Sequence, residues 1–217
     1  MRVTPSMRTA ACTAPYLAWM ALMAVLPQGA GPYAARSFCT AVLLAASLAV
    51  FRPGRKGLAC APAWGVAAGL AVFALWTWPE GFEWYRRWFV AGRGAGAGAS
   101  PYDPAVCGWP LTLVRLAGSA FVIAVAEEMF FRHFLYRRLQ SREWADVPHG
   151  TFDTGAFLWT TALFALEHDR WLAGAAAGAV YGLVYVKKGL GAAALAHVVT
   201  NLALGLHVIR HGLWTFW

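Results

Sequence analysis

Three polar clusters interrupt segments that are otherwise greasy enough to cross a bilayer: Glu127-Glu128-x-x-x-Arg132, Phe164-x-x-x-His168 and His197-x-x-x-Asn201. An ionisable side chain at membrane depth costs roughly 2.5–3.5 kcal/mol on insertion scales, so it marks a working site. On a helix, Glu128 and Arg132 are four residues apart and share a face, which lets them form an ion pair and lower each other's cost. Glu127 points about 100° away and is free to act as the reactive carboxylate. His197 and Asn201 also share a face, and together offer an imidazole N–H and a carboxamide donor to one oxygen, as an oxyanion hole requires. His168 reads equally as a base, a metal ligand or a helix terminus. The alternatives are structural: the Glu-Glu-Arg cluster as the end of a membrane helix, and the His-Asn pair as an interhelical bridge.

The elements that must position these residues follow from composition. The chain has 217 residues, of which 59% are hydrophobic and 13% charged. Soluble domains carry about 25% charged residues. The chain therefore reads as an all-α, polytopic transmembrane helix bundle forming a single integral membrane domain over 1–217. Seven apolar segments occur, at about 9–27, 33–51, 58–78, 111–138, 155–169, 171–186 and 189–209. Residues 1–78 are read as N-terminal membrane helices, 79–110 as an interfacial or extracytoplasmic loop and 111–205 as the catalytic core. An N-terminal signal peptide is the alternative for the first segment, but no small-x-small cleavage site follows it.

The net charge of +8 resides in short clusters between apolar segments. Arg52, Arg55 and Lys56, then Arg137, Arg138 and Arg142, then Lys187 and Lys188 all fall on one side if every segment crosses. This places the N-terminus in the cytoplasm. Arg86, Arg87 and Arg93 fall on the other side. No nucleic-acid motif accompanies the charge. Cys12, Cys39, Cys60 and Cys107 show no metal or disulfide spacing.

Between segments three and four, Trp84 and Trp88 lie one turn apart, as do Glu83 and Arg87, which suits a short interfacial helix or a substrate lid. Residues 92–100 read as a flexible Gly/Ala linker. Gly174, Gly178 and Gly182 recur every four residues, a stripe for close packing inside the bundle or for homodimerisation. His207 and His211 are read as interfacial. Counting along the helices puts Glu127, His168 and His197 ~12–19 Å from a membrane face, near the middle of a ~30 Å core. Glu167, Asp169 and Arg170 then lie deep as well and must line a wet cavity or a short buried connection.

The three clusters, in this order on successive apolar segments, resemble the CAAX prenyl endopeptidase type II/CPBP (Abi-like) family of intramembrane proteases, marked by E-E-x-x-x-R, F-x-x-x-H and H-x-x-x-N. The resemblance covers about 111–205. Tyr102-Asp-Pro104, the run Leu166–Gly174 and the aromatic end Trp214–Trp217 look like the branch associated with bacterial exosortase/PEP-CTERM sorting. The resemblance implies that Glu127 activates a water with help from His168. It further implies that His197 and Asn201 stabilise the oxyanion, Glu128 and Arg132 support the site, and no metal is bound. The expected substrate is a membrane-anchored or lipidated peptide or protein, with sorting-system proteins as further partners and the bacterial inner membrane as the location. Two other readings stand beside it. Glu plus two His is an accepted zinc set, although no H-E-x-x-H helix is present. A non-enzymatic scaffold, immunity or sorting component would keep the same clusters for structure.

Overall fold

The structure, a computed structural model, describes residues 4–50, 61–90 and 100–217. Among these residues the secondary structure is helical, without a strand. Each of the seven apolar segments is a helix: α1 (Pro5–Val25), α2 (Ala30–Val50), α3 (Pro62–Thr77), then, after a short α4 (Glu83–Phe89), α5 (Trp109–Gln140), α6 (Thr154–Leu166), α7 (Trp171–Lys188) and α8 (Leu190–His211). Of these, α2, α5 and α8 are long and apolar enough to cross a membrane by length and composition, and α6 is a shorter apolar helix. Large apolar side chains such as Leu17, Phe38, Leu48, Trp64, Leu70, Phe121, Leu158 and Leu206 stand exposed on the outer faces. A soluble fold would bury such side chains, whereas lipid solvates them. The basic cluster Arg52, Arg55 and Lys56, Cys60, and the linker at 92–100 apart from Ser100 lie outside the described residues.

Local chemistry sets the helix ends. Thr4 caps α1 and Pro5 opens it; Asp153 caps α6 through a 2.7 Å bond from the Ala156 amide. These side chains satisfy amides that the first helical turn leaves free. Gly189 links α7 to α8 at φ +88°, which a side chain would resist.

The helix α5 is a single rod with two π-helical stretches, Gly118–Ile123 and Met129–Leu135, flanking the α-helical turn Ala124–Glu128. A π turn takes in more residues than an α turn, so residues four apart lag slightly where in an α-helix they lead. The two drifts offset, and Arg115, Ser119, Ile123 and Glu127 all face one cavity.

Glycines bring the helices together around that rod. A Cβ on Gly69 of α3 would meet the Ala196 carbonyl at 2.5 Å, and one on Gly65 would meet Leu195 at 2.9 Å. The Thr200 hydroxyl donates to the Gly69 carbonyl at 2.9 Å, tying α8 to α3. The stripe on α7 packs on α6: Gly174 against Ala165 and His168, Gly178 against Phe164 and Gly182 against Phe157. This stripe therefore serves internal packing.

At the other end of the rod, Arg137 donates to the carbonyls of Ala145 and Val147 at 3.0 and 2.5 Å. The Trp144 indole donates to Thr9 of α1 at 3.1 Å, and the Tyr136 hydroxyl to the Thr151 carbonyl. The start of α1, the end of α5 and the start of α6 thus share one end of the bundle. In α4, Trp84 and Trp88 are exposed, while Tyr85 is buried and Phe89 packs on Trp171 at 5.2 Å. Glu83 and Arg87 form no ion pair; Arg86 donates instead to the Glu80 carbonyl.

The contact at Gly69 gives a test of the packing. Gly69→Leu is expected to destabilise the protein by about 1–3 kcal/mol or more through overpacking. Gly31→Ala, where a Cβ meets nothing within 4 Å, is expected to be neutral. Thermal unfolding in detergent compares the two.

Candidate active site

The three clusters, up to 74 residues apart in sequence, meet in one place. His197 of α8 lies between the two adjacent glutamates of α5. Its Nδ1 is 3.1 Å from Glu128 Oε1 and its Nε2 is 3.5 Å from Glu127 Oε2. A carboxylate can only accept, so Nδ1 carries the hydrogen toward Glu128. Its Nε2 faces Glu127 across a gap longer than a hydrogen bond.

Glu128 is fully buried and Arg132 nearly so. Arg132 Nε lies 3.5 Å from Glu128 Oε2, longer than a charge-assisted hydrogen bond, and its Nη2 donates to the Gly178 carbonyl at 3.2 Å. The Phe164 ring lies 4.9 Å below the same guanidinium. Glu127 keeps 13% of its side-chain surface exposed, toward the cavity. The separation of the two glutamates read from helix geometry is thus what the fold contains, with one addition: Glu128 is held by His197 as well as by Arg132.

Phe164 is the hub of the second cluster. Its carbonyl accepts from His168 Nδ1 at 2.7 Å, one helical turn on, which leaves Nε2 as the lone-pair nitrogen of the neutral ring. Its side chain packs on His168 at 4.7 Å and on His197 at 5.7 Å, and Trp76 closes the other side of His168 at 5.3 Å. The spacing of Phe164 and His168 thus fixes both the orientation and the tautomer of the histidine.

Asn201 lines the same cavity, but its amide donates to the Ser119 carbonyl at 2.9 Å. One N–H of the carboxamide remains beyond that bond. His207 and His211 pack on each other with tilted rings at 4.6 Å, away from the cavity lining.

The cavity holds about 420 Å³. Its deep end contains Glu127, His168, His197, Thr200 and Asn201, and its outer end Trp19, Gln28, Arg36, Arg115, Arg170 and Trp217. Glu167, His168, Asp169 and Arg170 form the connection between α6 and α7, the short polar connection that their depth demanded. Arg170 donates to Glu80 at 2.6 Å and to the Thr215 carbonyl at 3.1 Å, fastening the connection to both the α3–α4 turn and the C-terminus. Among the described residues, no group of three His, Cys, Asp or Glu side chains is arranged to hold a metal ion.

Residues 109–203 match the family model described as Rce1-like, type II CAAX prenyl endopeptidase. The match runs from the start of α5 into α8 and contains all six residues of the E-E-x-x-x-R, H and H-x-x-x-N positions. That is a peptidase family, and the match together with the long apolar helices points to a membrane protein. Trp19, Tyr33, Arg36 and Trp76, which complete the cavity, lie outside the matched region. No curated protein and no solved structure matches the chain.

Two aromatic partners of the site carried no signal in the sequence. Tyr181 stacks on His197 at 4.7 Å and 22°, and the Tyr16 hydroxyl donates to Glu167. An aromatic in an apolar helix is indistinguishable by pattern from core. Glu167 was noted as too deep for lipid, and its partner on α1 is the physical reason it is tolerated.

The buried pair predicts an asymmetry in stability. Arg132→Met is expected to cost about 3–5 kcal/mol, because it takes the cation away from the fully buried Glu128. The double variant Glu128→Gln/Arg132→Met should regain part of that loss. Unfolding temperatures in detergent give the comparison.

Proposed function

We propose that this chain is a glutamate-dependent intramembrane endopeptidase that hydrolyses a peptide bond near the membrane-embedded or lipidated end of a substrate. The observation that carries the reading is the contact of His197 with both glutamates at the deep end of a polar cavity, within the region that matches a peptidase family.

In this reading Glu127 accepts a proton from a water molecule as its oxygen attacks the scissile carbonyl, with the lone-pair Nε2 of His168 assisting. The charged His197 ring and the remaining N–H of Asn201 donate to the oxyanion as it forms. Glu128 holds the His197 ring by Nδ1, and Arg132 balances Glu128, so neither needs to touch substrate. Collapse of the tetrahedral species passes the proton gained by Glu127 to the leaving amine. The water needs no metal to activate it in this scheme.

The end of α5, with Arg137, Arg138 and Arg142, and the end of α7, with Lys187 and Lys188, are proposed to face the cytoplasm together with the N-terminus. The cavity then opens on the opposite side. The bacterial inner membrane as the location, and sorting-system proteins as partners, rest on the resemblance of Tyr102–Pro104, Leu166–Gly174 and Trp214–Trp217. A non-enzymatic scaffold would use the same clusters for structure only.

Mass spectrometry of membrane-protein termini in cells carrying wild-type or Glu127→Gln protein tests the reaction. A new terminus present only with the wild type is expected, with the variant inserted and folded, and His168→Ala should lower the same signal at least 100-fold. Full processing by a folded Glu127→Gln protein would overturn the mechanism. Cleavage by purified protein should persist in EDTA; loss on chelation with recovery on added zinc would replace the metal-free scheme.

A further inference from the structure

Two histidines in the last turns of α8 stand apart from the proposed reaction. His207 and His211 are four residues apart, so both rings leave the helix on one face. Their ring centres lie 4.6 Å apart with the planes tilted by 52°. Phe73 of α3 packs edge-on against His207 at 5.7 Å and limits its swing. His207 is half-buried, and His211 is exposed at the end of the helix. Ten residues, or ~15 Å along the helix axis, separate His207 from His197, so the pair is distinct from the cluster at Glu127.

The other four histidines of the chain keep different company. His168 is bonded to the Phe164 carbonyl, and His197 faces two glutamates. His133 lies 3.3 Å from Arg137 and His149 packs on His133 at 5.7 Å, so a guanidinium opposes any bound cation there. Among the described residues, no hydrogen bond or ion pair engages His207 or His211. A neutral imidazole offers one nitrogen lone pair to a metal ion, and the same four-residue spacing lets two histidines of a helix share one ion in metalloproteases. An ion bound to an imidazole nitrogen at about 2.0–2.1 Å lies ~3.2 Å from the ring centre. Two rings with centres 4.6 Å apart would then subtend about 90° at a shared ion, the cis angle of tetragonal Cu2+ rather than the wider tetrahedral angle of Zn2+.

We propose that His207 and His211 form a binding site for a divalent transition-metal ion, with Cu2+ as the best fit and solvent completing its coordination. Copper also heads the order of affinities among first-row divalent ions for nitrogen ligands. The ion ties together two successive turns at the end of α8, where a helix otherwise frays. It thereby steadies the helix that carries His197 and Asn201 without entering the cavity. Arg210 is exposed beside the pair and repels a cation, but solvent screens that repulsion. The site is independent of the peptidase reading.

Equilibrium dialysis and electron paramagnetic resonance with CuCl2 test this, on the full chain without a histidine tag in dodecylmaltoside micelles. One equivalent of Cu2+ is expected to bind with micromolar affinity and to give a tetragonal spectrum with superhyperfine structure from two nitrogens. His207→Ala or His211→Ala should each weaken binding at least tenfold and leave one nitrogen in the spectrum. The ion should raise the unfolding temperature of the wild type by about 3 °C or more, and that of neither variant. Glu127→Gln and His168→Ala should each keep the full affinity and spectrum. Unfolding temperature without metal and elution volume verify that each variant folds. Loss of the signal in Glu127→Gln or His168→Ala, with retention in the His207 and His211 variants, overturns the proposal and moves the ion to the cavity. Binding that neither His207→Ala nor His211→Ala alters, or no binding at a hundredfold excess of copper, overturns it as well.

Discussion

Glu128 has no exposed surface, and its charge must be balanced from within the fold. Two groups do so from different directions: Arg132 from the next turn of the same helix, and His197 Nδ1 from α8. An isolated carboxylate at this depth would cost several kcal/mol, so the helices that carry its partners must stay in register with it. A slide of α8 by one residue would rotate His197 by about 100° away from both glutamates. The contact of His197 with Glu128 thus fixes the placement of α8 against α5, and with it the approach of His197 to Glu127.

That register is enforced by small residues rather than by more polar bonds. Gly65 and Gly69 let α3 lie against the backbone of α8 at Leu195 and Ala196, next to His197. The glycine stripe on α7 receives α6 in the same way, which holds Phe164 and His168 over the site. In lipid, apolar surface gains little from leaving one greasy environment for another, so close backbone contact and hydrogen bonds have to hold the bundle. The Thr200 hydroxyl on the Gly69 carbonyl is one such bond, a single turn from His197.

Much of the deep end was legible in the sequence because polar residues stand out in apolar segments. The partition of Glu127 from Glu128 needed only the helical repeat, and the pairing of Glu128 with Arg132 only a four-residue spacing. The bracketing of His197 by two carboxylates was not legible, since it depends on how α8 docks on α5 across a sequence separation of 69. Asn201 shows the limit of the face argument: it shares the cavity side of α8 with His197, but one of its donors is committed to Ser119. The two π stretches left no trace in the apolar pattern, although they keep Arg115 and Glu127 on one face. The outer wall was hidden for a different reason. Trp19, Tyr33 and Arg36 belong to α1 and α2, where a lone arginine between apolar residues reads as a helix end.

The cavity is asymmetric along the bundle, and this bears on how water reaches a site between apolar helices. Its inner end closes on Tyr181, Phe164 and Glu127. Its outer end reaches Gln28 in the α1–α2 connection and Thr215–Trp217 at the end of the chain. Polar or charged side chains recur along that path: Asn201 and Ser119, then Glu167 and Asp169, then Arg115, Arg36 and Arg170. Such polar groups can hold water in a cavity, which an apolar lining would leave dry. At the opposite end, Arg137 and the 141–153 loop close the bundle through Ala145, Val147 and Trp144. In the proposed reaction, water and substrate would therefore enter from the same side. The connection 167–170 would be the structure they pass, held in place by Tyr16 on Glu167 and by Glu80 on Arg170.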